Sequence, residues 1–288
     1  MTMYRPRMKE NEYNEWQLRK LTDKNVFRVL IFTDPHGILA DPKATGVINK
    51  VLQHNKFDEV CINGDIVDLP YLSKHTSRLY ENGILANYSE IGEIEHTKAA
   101  ILEPLRASTD AKIRVRLGNH DERITNPYNL GHGQSNRLNV LYNHYNSTRL
   151  DEMLNLKPAD GWIYDPSHIY TYFDKFDIVH GLSTVKGASR KNINDYFSSG
   201  CSGHTHRLGA TYITNRNDKY VWFEMGCTRL TEKVEYFPTG VVADWQQGFL
   251  DLTFYFEGNE VLFFAEPYAI IEGRCKYNGT VYQYNMAA

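Results

Sequence analysis

Short apolar runs, each ending in a polar turn that carries glycine, are what most restricts the folds open to this 288-residue chain. Val26-Phe27-Arg28-Val29-Leu30-Ile31-Phe32 is rich in β-branched and aromatic residues, as buried strands are, and Asp34-Pro35-His36-Gly37 breaks it. Glu59-Val60-Cys61-Ile62 reads as a second strand, stopped by Asn63-Gly64-Asp65. Lys112 to Leu117 alternates as a half-exposed strand should, and stops at Gly118-Asn119-His120-Asp121. Phe176 to Val179 ends at His180-Gly181. Tyr196 to Ser199 is read as a further strand that ends near Gly203-His204-Thr205-His206.

Between these runs the period is helical, from Lys43 to Asn55 and up to Ala107, where Ile91, Ile94, Ala99, Ile101, Leu102 and Leu105 make an apolar face. The last third reads as hairpins. Ala210–Thr214 and Tyr220–Glu224 flank one turn, and Phe249–Phe256 and Val261–Ala265 flank another. Alternation early and hairpins late predict an α/β fold with mixed sheets rather than an all-parallel one. A hydrophobic share of 42% is enough for one large core. Residues 26–288 are therefore expected to form the main domain. Residues 1–25 are expected to form a helical arm (helix near Glu10 to Lys20), which either packs on that domain or docks a partner or nucleic acid. Residues 127–170, rich in Asn, Tyr and His, read as an insertion over the site.

A net charge of -3 weighs against a broad basic surface for gripping nucleic acid. It leaves acidic substrates open, because bound cations would supply the positive field. Cys61, Cys201, Cys227 and Cys275 form no CxxC pair and read as small buried hydrophobes in a reducing compartment. The N-terminus lacks the basic-then-apolar order of a leader, and no run of about 18 apolar residues occurs. The expectation is a soluble cytoplasmic protein with no membrane partner. The pattern carries no signal for an oligomeric state.

Ligands in open α/β sheets gather beyond the carboxyl ends of strands. Five polar turns meeting there would bring carboxylates, an amide oxygen and imidazoles together. Singly, a Gly-Asp or a His-x-His is a turn as readily as a ligand. The weight lies in their joint occurrence, each just after a strand. Such a donor set suits phosphate-ester chemistry. Two divalent cations about 3.5–4 Å apart would neutralise an anionic phosphoryl group and lower the pKa of a shared water, with a carboxylate between them as bridge. Mixed carboxylate, imidazole and amide ligands suit Mn, and also Fe or Zn, better than Ca.

In order and spacing, Asp34-x-His36, Gly64-Asp65-x-x-Asp68, Gly118-Asn119-His120-Asp121, His180 and Gly203-His204-x-His206 resemble the signature blocks of the calcineurin-like metallophosphoesterase superfamily. The later stretches Gly226 to Leu230 and Trp245 to Phe249 are similar to the C-terminal part of members often encoded by bacteriophages, which would place the protein in a host cytoplasm. The resemblance implies two mixed β-sheets packed as a sandwich and flanked by helices. It implies one metal held by Asp34, His36, Asp65 and His206, and a second held by Asp65, Asn119, His180 and His204. His120 would act on the leaving oxygen, and Asp68 would orient His120. Pro35 departs from the pattern; it removes a donor but fixes the turn, and is expected to be tolerated.

The resulting expectation is a hydrolase of a nucleotide or other small phosphoester, acting by in-line attack of a hydroxide generated at the metal pair. A nuclease using the same site on DNA or RNA is the alternative, motivated by the aromatic insertion and the phage-like C-terminus. A non-catalytic scaffold on this fold is the third reading, though such a chain could dispense with His120 and this one keeps it. For substrate contacts the candidates are Arg123, Arg207 and His132; each arginine either reaches a phosphate oxygen or is solvated or ion-paired elsewhere. Tyr142, Tyr145, Tyr170 and Tyr172 either stack a base or pack.

Overall fold

The computed structural model describes residues 25–73, 88–126, 135–216, 218–232 and 242–284. The expected N-terminal helix and His132 lie outside them. β1 (Val26–Phe32), β2 (Glu59–Asn63), β3 (Lys112–Arg116) and β4 (Trp162–Asp165) are parallel neighbours in that order. β5 (Ile169–Tyr172), β6 (Phe176–Val179), β7 (Gly200–Ser202), β8 (Leu208–Thr214) and β9 (Lys219–Met225) make a second sheet in the order β5-β6-β7-β9-β8. Its two outer pairs are antiparallel and its inner pairs parallel. The hairpin of β10 (Gln247–Glu257) and β11 (Glu260–Ile270) returns to the first sheet, where β10 lies antiparallel to β1. Both sheets are thus mixed, as expected.

β1 explains the layering. Phe27, Val29 and Ile31 face the second sheet and pack with Cys61, Ile178, Cys201, Phe223 and Met225. Leu30 and Phe32 point the other way, into a core shared with the helices at Pro42–His54 and Glu90–Thr97. A strand covered on both faces has no polar side, which is why β1 reads as a continuous apolar run. On the far side of the second sheet, Trp222 is fully buried and stacks on Tyr196 of the helix Ala188–Tyr196, centroids 5.4 Å apart. Asp41 starts the first helix by accepting a hydrogen bond from the Lys43 N–H at 2.8 Å, and Ser89 caps the second. All four cysteines are buried and unbonded to one another. Among the described residues no helix is long and apolar enough to cross a membrane.

Two expectations need correction. β3 is not half-exposed, because Arg114 and Arg116 are buried between the sheets. Arg114 pairs with Glu59 at 2.6 Å and reaches the Tyr170 hydroxyl at 2.9 Å. Arg116 donates to the carbonyls of Ile178 (2.6 Å) and Ser167 (2.7 Å) and to Asn63 Oδ1 (3.1 Å). The alternation is real, but its polar half is neutralised internally rather than solvated. Second, the strand expected at Tyr196–Ser199 is displaced to Gly200–Ser202, and Tyr196 ends a helix instead. That helix buries Ser189 and Asn192 beside Ala188 and Ile193, so its period is not apolar. Of the stretch read as an insertion, the part from Ser135 onward joins the main core and the first sheet. Leu138 and Leu141 of the helix Ser135–Tyr145, with Leu150, Met153 and Trp162, belong to the main core, and β4 extends the first sheet.

Truncating Arg116 to Ala removes the donor to the Ile178 and Ser167 carbonyls and to Asn63 Oδ1, together with the positive charge 3.5 Å from the Asp165 carboxylate. The expected loss is about 3–5 kcal/mol of folding stability. A urea midpoint equal to that of the parent would show that the arginine contributes nothing.

Candidate metal centre

Asp34, Asp65, Asn119, His180 and His204 follow β1, β2, β3, β6 and β7, so parallel strands of both sheets deliver them to one end of the sandwich. The chain turns abruptly there. Asp34, His36, Asp65, His204 and His206 all have positive φ, between 50° and 63°. Non-glycine residues held in this region cost free energy and persist where the surroundings over-determine them. Here the surroundings are hydrogen bonds. Asp34 N–H donates to the Gly64 carbonyl and His36 N–H to that of Asp65, so the missing donor of Pro35 falls between two rungs. Gly118 allows a close approach, since a Cβ there would lie 2.2 Å from Asp65 Oδ1.

Two groups of electron-pair donors result. Asp34, His36 and His206 form one, with His206 Nε2 3.0 Å from Asp34 Oδ1 and 3.1 Å from His36 Nε2. Asp65, His180 and His204 form the other. His180 Nε2 lies 3.2 Å from Asp65 Oδ2 and 3.2 Å from Asn119 Oδ1. Asp65 Oδ2 is also 3.8 Å from His36 Nε2, so this carboxylate stands between the groups. His180 is oriented through its other nitrogen, which donates to the Asn63 carbonyl at 2.9 Å. Thr33 steadies Asp34 with its hydroxyl at 2.5 Å.

A third group joins His36, Asp68 and His120. Asp68 Oδ1 takes a hydrogen bond from His36 Nδ1 at 2.7 Å and lies 3.0 Å from His120 Nδ1. The carboxylate expected to serve His120 therefore serves a metal-ligand candidate as well. The His120 side chain is 21% exposed against 2% for His36, which makes it the ring of this group open to an incoming molecule.

Electrostatics fit the donor set to cations. Burial raises the cost of each ionised carboxylate. For Asp34, His206 and His180 outweigh it; for Asp65, His180 and His120 do; for Asp68, hydrogen bonds to His120 and His36 do. All three are held below the usual carboxylate range. Burial likewise opposes the imidazolium of His36, yet Asp34 and Asp68 bring it up to about 9. Asp65 and Asp34 bring His180 up to about 10 against its burial. Burial prevails at His206, which falls to about 4, and at His204, which is lowered with help from the charge on His180. In the metal-free chain, protons on two imidazoles thus offset part of the carboxylate charge that divalent cations would offset.

The remaining candidates separate. Arg123 donates to the Asp68 carbonyl at 2.6 Å, and Arg207 to the carbonyls of Thr184 and Val185 at 3.2 Å. Tyr170 and Tyr172 are buried between the sheets, and Tyr142 and Tyr145 pack on the main core, so packing accounts for the four tyrosines. Two carboxylates have no role that the sequence suggests. Asp121 lies inside the Gly-Asn-His-Asp block and accepts from the N–H groups of Gly118, Val67 and Ile66. Burial and the charge of Asp65 push it up to about 7. Glu93, on a helix with no motif, is buried beside Asp68, and burial with that neighbour pushes it up to about 8. The C-terminal stretches brace the same loops: Thr228 N–H donates to the Asp34 carbonyl and Gln246 N–H to that of His206.

A family model described as calcineurin-like phosphoesterase matches residues 27–258. The gene 54 proteins of Mycobacterium phages D29 and L5 are 28% and 26% identical, each alignment covering 89% of this chain and 98% of the relative. Among solved structures, Vps29 of Entamoeba histolytica complexed with zinc is 13% identical, covering 88% of this chain and 96% of that one, with a TM-score of 0.38. The purple acid phosphatase PPD1 of yellow lupin is 15% identical, covering 90% of this chain and 53% of that one, with a TM-score of 0.41.

Metal binding requires neutral imidazoles, so His36 and His180 should each release a proton on loading. Calorimetric titration with Mn²⁺ near pH 7, in buffers of different ionisation enthalpy, should show about two protons leaving, with affinity rising towards pH 9–10. Binding without proton release would contradict the charge balance described.

Proposed function

The chain belongs to the calcineurin-like phosphoesterase family, and from that premise we propose that it is a two-metal hydrolase of small phosphate esters, nucleotides among them. Asp34, His36, Asp65 and His206 would hold one ion, and Asp65, Asn119, His180 and His204 the other. When bound, such ions neutralise phosphoryl oxygens and lower the pKa of a water, which is what hydrolysis of an anionic ester requires. Mn fits this ligand set, as do Fe and Zn.

The chain's own residues do the rest. Asp65 is fixed by the His120 N–H, which donates to its Oδ1 at 2.9 Å. His120 Nδ1 also donates to the Asp68 carbonyl at 2.9 Å, which leaves Nε2 as the nitrogen that can meet the ester. Nε2 lies 3.9 Å from Asp65 Oδ2, beside the donor groups but outside both of them. From there it would hand a proton to the leaving oxygen, with Asp68 holding the ring in place. This separation of one imidazole from two complete donor groups is the observation that carries the reading. The packed tyrosines and the net charge of -3 support a small ester over a long nucleic acid.

With added Mn²⁺, turnover of an aryl phosphate should fall about a thousandfold or more in Asp65→Ala. His120→Ala should lose about 10²–10⁴-fold while keeping its metal. Unchanged turnover in Asp65→Ala would sink the mechanism. Cleavage of single-stranded DNA without any turnover of small esters would move the assignment to a nuclease.

A further inference from the structure

We infer that Glu93 and Arg123 form a clamp on the Asp68–Leu69 peptide units, and that they are positioning residues for His36 and His120. Resting on the reading of His120 given above, the inference begins with Asp68, whose single oxygen Oδ1 contacts Nδ1 of both rings. One atom can serve both only if its main chain is held still. Leu69 makes that harder, because it sits at φ 45°, where a leucine is strained.

The restraint comes from both sides. Glu93 Oε1 accepts the Asp68 N–H, and Oε2 accepts the Leu69 N–H at 3.0 Å and the Tyr88 hydroxyl. Arg123 Nη1 donates to the carbonyls of the same two residues, at 2.6 and 3.3 Å. Two N–H groups and two carbonyls are thus taken up by one carboxylate and one guanidinium. Glu93 also presses on the loop that carries His36: a Cβ at Gly37 would lie 2.3 Å from Glu93 Oε1. Arg123 comes from the short helix Glu122–Thr125, just after His120. Each arm of the clamp therefore touches one of the two loops whose histidines Asp68 orients. Partners that orient metal-binding imidazoles typically change affinity by 10–100-fold when lost.

The test uses the full chain with Glu93→Gln, Arg123→Met and the conservative Arg123→Lys, alongside the parent and His120→Ala. Two quantities are read: Mn²⁺ affinity by calorimetry, and kcat at saturating Mn²⁺ for 4-nitrophenyl and phenyl phosphate. Phenolate is the poorer leaving group and depends more on a proton donor. A clamp acting through His36 and His120 lowers Mn²⁺ affinity about tenfold or more in Glu93→Gln and Arg123→Met. It also makes the loss about tenfold larger for the phenyl ester, the pattern expected of His120→Ala, with Arg123→Lys retaining more of both. Lower melting temperature with unchanged affinity and equal losses on both esters would overturn the clamp and leave the pair as stabilising residues only. If the parent hydrolyses neither ester, the functional reading fails, and Mn²⁺ affinity alone decides the clamp: unchanged affinity overturns it.

Discussion

Three carboxylates, Asp34, Asp65 and Asp68, are buried around the His36 ring, each within 4 Å of one of its nitrogens, and everything else at this end of the molecule answers to their charge. Burying one unpaired carboxylate is costly, and burying three together is untenable without compensating positive charge. In the metal-free chain the compensation comes from protonated His36 and His180. That arrangement is provisional in a physical sense. The imidazoles present nitrogens on the same side as the carboxylate oxygens, so divalent cations would replace the protons without moving the frame.

The frame is rigid because two sheets build it. The β1 and β2 turns are zipped together by main-chain hydrogen bonds, and Asn63 ties them to the second sheet through the Val179 carbonyl and His180. Arg116 sits behind this junction and binds Asn63 and the Ile178 carbonyl at once. Left-handed backbone at five candidate ligand residues is the strain this frame contains. A loop with so many fixed points cannot relax towards ordinary dihedrals without breaking several hydrogen bonds together.

Much of this was legible in the sequence, for reasons that differ by element. β1 has the bounds its apolar run suggested, because a strand buried on both faces leaves an unbroken signature. The ligand candidates stand out in the sequence because each lies in a glycine-containing polar turn just after an apolar run. β3 misled, since alternation identifies two faces without saying whether the polar one meets water or buried acids. The Gly200–Ser202 strand is short and lacks large side chains, so a neighbouring aromatic segment drew the assignment. Glu93 left no trace at all. Besides the Tyr88 hydroxyl, its partners are main-chain groups 24 and 25 residues away in sequence, and such contacts impose no pattern on the residues around them.

The central claim is that Asp65 stands between two cation sites. Anomalous diffraction from crystals grown with Mn²⁺ tests it most directly. Two anomalous peaks are expected per chain, about 3.5–4 Å apart on either side of the Asp65 carboxylate, one beside Asp34, His36 and His206 and the other beside Asn119, His180 and His204. No peak at Asp65, or peaks only at exposed acidic side chains, would contradict the account.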